Sequence, residues 1–155
     1  MKTEAIGMRG ETPFEEIISH FTSLGGEAVL VNPDRICGKN HLLSSYMHAE
    51  RAFSSGTNRS RNIVTETIMY CAWERQAGTA ILKMRPDGSG RYAALLIGIE
   101  DPRLDEIGMI RDDSLLEASE RKAELLDLRD PFLGAEEQAL ERVAMTDLLK
   151  YRYRE

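Results

Sequence analysis

Two stretches of the chain, Ala28–Val31 and Tyr92–Ile99, are apolar without alternation and are bounded by turn residues. A strand with one wet face alternates polar and apolar side chains, so unbroken runs of this length predict buried strands. Asn32-Pro33 closes the first run, and Pro86-Asp87-Gly88-Ser89-Gly90 leads into the second. A shorter strand is expected over Glu4 to Met8. Whatever sheet these strands form needs helices to cover it.

The rest of the chain supplies them. Thr12 as cap and Pro13 at the first helical position open a helix on which Phe14, Ile17, Ile18, Phe21 and Leu24 recur at helical spacing, ended by Gly25-Gly26. After an extended piece at Arg35 to Gly38, a second helix runs through Leu42, Leu43, Tyr46, Met47, Ala49, Ala52 and Phe53 to Gly56. The third carries Val64, Ile68, Cys71 and Ala72, widened by Ile63, Tyr70 and Trp73, and is apolar enough to be the central one. A short helix holds Ala77, Ala80, Ile81 and Met84, and a helical turn or two follows Asp101-Pro102. Arg111 to Arg129 reads as helix with irregular ends, and Glu136 to Lys150 as a final helix. The expected fold class is α+β: a single domain spanning residues 1–155, helix-rich, with a small, mostly buried mixed sheet.

No apolar run approaches the ~20 residues of a membrane span, and Met1 to Gly10 has no basic-then-apolar signal pattern. Cys37 and Cys71 are too few for a disulfide framework, and their apolar surroundings point to buried thiols in a reducing cytoplasm. The net charge of −6 is unevenly spread: residues 1–33 carry −3, 34–75 carry +2, 76–99 carry +2, and 100–155 carry −7. The middle of the chain is thus mildly basic, although the whole argues against strong non-specific binding to duplex DNA.

Reactive groups are sparse. Cys37 and His41 lie four apart with Asp34 upstream, so a cysteine nucleophile with a histidine base is conceivable, though no oxyanion-hole signature accompanies them. A structural cysteine and a helix-start histidine is the plainer reading. His41 and His48 are two turns apart, about 10 Å along a helix axis and too far to share one metal ion; His20 is the third histidine. There is no GxGxxG and no GxxxxGK[ST], and Asp87 to Arg91 precedes a strand where a phosphate loop would follow one. No cofactor is expected.

Two helix starts stand out. Gly38-Lys39-Asn40-His41 opens the second helix, and Gly56 to Asn62 (GTNRSRN) opens the third. A helix N-terminus offers unpaired N–H groups and partial positive charge, both suited to phosphate, and here Lys39, Arg59 and Arg61 stand beside them. If the two helices are antiparallel, the starts lie at opposite ends, about 22 Å apart for a 15-residue helix. Two capped helices with solvated basic tips would look the same.

From Gly38 onward the sequence resembles the PRPK-binding (TPRKB-like) proteins, the small regulatory subunit of the KEOPS complex, in their archaeal form. The matching pieces are GKNHLL (Gly38 to Leu43), HAERAF (His48 to Phe53), RNIVTETIMYCAWERQ (Arg61 to Gln76) and AILKM (Ala80 to Met84). DDSLLE (Asp112 to Glu117), KAELL (Lys122 to Leu126) and ERVAMTDL (Glu141 to Leu148) follow in order. The resemblance implies a non-catalytic, cytoplasmic subunit. Such a subunit binds the small atypical kinase/ATPase of the complex and brings tRNA, through its 3′ CCA end, to the subunit that installs threonylcarbamoyl on adenosine. Within the matching segments, Lys39, Asn58, Arg59, Arg61 and Arg75 are the basic or polar candidates for holding a single-stranded end by phosphate contact and stacking. The expected kinase-facing surface is a stripe on the last helix, Val143, Met145, Leu148 and Leu149, unless those residues close the core. An adaptor that docks the kinase without touching RNA, and a Cys37/His41 enzyme, are the competing readings.

Overall fold

The computed structural model describes residues 2–152, the side chains of 150–152 excepted. Among them, four strands form one sheet: β1 (Thr3–Arg9), β2 (Glu27–Val31), β3 (Arg91–Ile97) and the two-residue β4 (Ile110–Arg111). Their spatial order is β2-β3-β1-β4. β1 and β2 both pair antiparallel with β3, as in Ala5↔Leu95 and Val29↔Leu95, so they run the same way without touching. The β1-helix-β2 crossover therefore exists, but β3 is threaded into the gap it leaves. Every neighbouring pair, β1 with β4 included, is antiparallel, where the sequence reading expected a mixed sheet.

Among the described residues there are six α-helices: α1 (Phe14–Ser23), α2 (Lys39–Ser55), α3 (Ile63–Ala72), α4 (Ala77–Met84), α5 (Glu120–Leu125) and α6 (Ala135–Arg152). The unbroken apolar composition of β3 follows from its position. Tyr92, Ala94 and Leu96 join Ile17 and Phe21 of α1 in one core. Ala93, Leu95 and Ile97 join Leu42 of α2, Met69 and Cys71 of α3, and Ala80 and Met84 of α4 in another. The sheet is sandwiched, and α3 is the most deeply covered helix, with Glu66, Thr67 and Met69 to Ala72 all buried. None of the helices is long and apolar enough to cross a membrane, among the described residues.

Two local expectations are corrected. Thr12 does not cap α1, which has Pro13 at its N-cap; the Thr12 hydroxyl instead bonds the carbonyl of Ile107. The stretch from 111 to 129 is not one helix but β4, a 3₁₀ turn over Asp113–Leu116 and the short α5. Asp112 accepts from the Ser114 amide at 3.2 Å, and Ser119 accepts from Lys122 at 3.2 Å. Side chains that bond their own backbone this way break helical continuity.

Candidate nucleic-acid interface

α2 and α3 are antiparallel neighbours joined by the 56–62 loop, and one buried carboxylate organises that loop. Gly56 ends α2 in the left-handed conformation (φ +70°), which brings the Thr57 amide back to the Ala52 carbonyl at 2.8 Å. The chain then wraps around Glu66, whose side chain is fully buried in the first turn of α3. Glu66 accepts from the amides of Arg59 (3.0 Å) and Ser60 (2.8 Å) and from the Ser60 hydroxyl (2.9 Å). A buried charge is tolerable only with donors of this kind around it. Asn62 caps α3 by accepting from Thr65 at 2.8 Å, and Asn58 donates to the Ser60 carbonyl at 2.9 Å. The result is a braced loop that sets Asn58 and Arg59 half-exposed and Arg61 exposed at its surface.

The start of α2 lies at the other end of the pair, about 24 Å along a helix of 17 residues. Its surroundings differ sharply. The Glu136 carboxylate, from the first turn of α6, accepts from the Asn40 amide at 3.3 Å. Gly38 has φ +96°, and a Cβ there would collide with that same carboxylate. Lys39 is exposed, but it lines a cavity of about 290 Å³ together with Asp113, Glu117 and Glu136. The expectation of free amides at both helix starts is therefore corrected. Internal acceptors already take amides at each, and the α2 start carries acid where phosphate would have to sit. The five sequence candidates separate into Asn58, Arg59 and Arg61 at one end and Lys39 with Arg75 towards the other.

Between Lys39 and Arg75 the structure is a packed junction. α3 ends at Trp73 in the left-handed conformation (φ 58°), with the Glu74 amide bonding back to Met69 at 3.0 Å. The Trp73 ring stacks on His41 of α2 at 5.5 Å and 8°, while Lys83 and Arg142 stand 5.3 and 5.2 Å from its centroid. Arg75 is half-buried beside it, lining a cavity of about 240 Å³ with Glu74, Gln76, Thr79 and Leu149. His41 itself is wholly interior. Its Nδ1 accepts from the Cys37 amide at 3.1 Å and its Nε2 donates to the Cys71 carbonyl at 3.0 Å. Burial lowers its pKa to about 4, so it is neutral. Burial also pushes the Cys37 thiol up and the Cys71 thiol to about 12. His41 meets the Cys37 backbone rather than its sulfur, so the two are not disposed as nucleophile and base.

On α6 the predicted apolar stripe divides. Val143 is 0% exposed and packs with Ala49 and Ala52 of α2 and Tyr70 of α3, which removes it from any docking surface. Met145 and Leu148 are 53% and 60% exposed, and Leu149 is half-buried. The helical period explains the split: α6 turns Val143 towards α2 and α3, and its neighbours away. Asp147 fastens this end of the helix, accepting from the Tyr70 hydroxyl and lying 3.4 Å from Nδ1 of His48. Burial and that carboxylate hold the Tyr70 phenol well above its ordinary pKa.

Glu66, Glu136, Trp73 and Asp147 were not among the sequence candidates. Only Glu66, an acid in the first turn of an otherwise apolar helix, left a readable trace. No family model matches the chain, and no curated protein matches it.

Proposed function

We propose that this chain is a non-catalytic subunit of a KEOPS-type assembly, binding the small atypical kinase/ATPase and recruiting tRNA through its 3′ CCA end for threonylcarbamoyl-adenosine modification. Besides the sequence resemblance, the observation that carries this reading is the braced 56–62 loop. A fully buried carboxylate fixes the backbone of a segment that carries Arg61 exposed and Asn58 and Arg59 half-exposed. Fixed cations on a rigid loop suit a flexible single strand, because the protein then loses little freedom on binding. Arg75 and Lys39 take a lesser part, since acids stand beside the latter. Met145, Leu148 and Leu149 form the kinase-facing surface.

The test is a gel-shift comparison of tRNA with and without its CCA end, using the protein alone and with its kinase partner. Tighter binding of the intact end is expected, weakened at least tenfold by Arg59→Glu with Arg61→Glu. That pair should also flatten the salt dependence by a slope of roughly 0.7 per lost contact. The acid-lined α2 start favours a second reading, an adaptor that docks the kinase and never touches RNA. Equal binding of both tRNA forms, with kinase binding intact, would select it.

A further inference from the structure

Phe132 is 92% exposed, the most exposed large apolar side chain among the described residues. Single exposed apolar residues are common and carry no meaning alone. This one differs in how it is held. Gln138, buried on α6, accepts from the Asp130 amide at 3.0 Å and donates to the carbonyls of Asp130 (3.3 Å) and Leu133 (2.9 Å). Asp130 in turn accepts from the Phe132 amide at 2.8 Å. The chain enters this loop through Asp127 in the left-handed conformation (φ 59°), and Arg142 donates to its carbonyl at 2.7 Å. Five hydrogen bonds, four of them to side chains of α6, thus fix a backbone that carries an aromatic ring in water. A ring presented in one conformation loses little freedom when a partner covers it.

The surroundings state what kind of partner that is. Between Glu124 and Glu137 the chain carries five acidic residues and one basic one, Arg129, which pairs with Asp127. Glu124, Asp127, Asp130 and Glu137 are exposed, as is Leu125. An exposed apolar anchor within an exposed acidic stretch of chain fits a protein surface with an apolar socket and basic edges. A second copy of this chain would bring like charge to like, and nucleic acid would be repelled.

We infer that the Phe132 loop is a docking element for a basic protein surface, separate from the RNA-facing loop and from the exposed residues at the far end of α6. The inference stands whether or not the tRNA reading does. The full-length protein carrying a benzophenone amino acid at position 132 should cross-link in its own cells to a protein segment rich in lysine or arginine. With that partner purified, Phe132→Ser should weaken binding at least tenfold, Phe132→Leu less, and Glu124→Lys with Glu137→Lys several-fold, more so at low salt. Cross-linking to a second copy, to RNA or to nothing would overturn the inference. So would a partner whose affinity changes less than twofold on Phe132→Ser.

Discussion

His41 serves backbone groups in the interior of the protein. Its position beside Cys37 invites a catalytic reading, yet both ring nitrogens serve backbone groups that would otherwise be orphaned inside the protein. The consequence is measurable. With a folded pKa near 4 against 6.5, the unfolded chain binds more protons throughout that interval. Stability is therefore fully present above pH 6.5 and declines as pH falls towards 4, by about 3 kcal/mol at most. Urea unfolding across this range should show that slope, and His41→Leu should be flatter but less stable at pH 7 by about 2–4 kcal/mol, because Cys37 N–H and Cys71 C=O lose their partners. Gly38 offers a second residue-scale check. Gly38→Ala should cost of order 1–3 kcal/mol, and adding Glu136→Ala should recover only the part due to collision. Lys39 and Arg61 were equally legible as exposed cations. That Asp113, Glu117 and Glu136 stand beside Lys39 was not legible, because Glu136 lies 96 positions from Asn40.

At the scale of elements, the strands and long helices could be read from the chain because each obeys a short-range rule. α2 stops at Gly56, α3 starts at Asn62, and β3 is apolar because both its faces are covered. The stretch from 111 to 129 could not, since its aspartates and serines compete with the backbone they sit on. The 56–62 loop obeys a rule of intermediate range, set by Glu66 seven residues from Arg59. Glu66→Gln should lower stability by about 1–3 kcal/mol, and amide exchange at Arg59 and Ser60 should quicken more than elsewhere. RNA affinity should fall with it, though no surface cation has changed. At the other end of the helix pair, Asp147→Ala releases the Tyr70 hydroxyl and His48 together. Faster exchange confined to the second half of α6 is expected, with a loss of about 1–2 kcal/mol.

For the whole molecule, charge is sorted by position as well as by sequence. The basic 56–62 loop joins the end of α2 to α3, whereas the acidic loop at Phe132 leads into α6, whose first turn meets the start of α2. Because Phe132 is 92% exposed, Phe132→Ser should leave the unfolding free energy within about 0.5 kcal/mol, which separates loss of docking from loss of folding.

The interleaved order of the strands has one further effect, on timing. β1 and β2 are made early and share no edge; the strand that joins them is completed only at Ile97. Synthesis must therefore pass Ile97 before the sheet can close. Until then α2, α3 and α4 can pack on one another but lack the sheet they cover, and the two early strands wait as open edges. A chain cut at Gly90 should show helix signal by circular dichroism but no cooperative melting, whereas one cut after Gly98 should begin to display it.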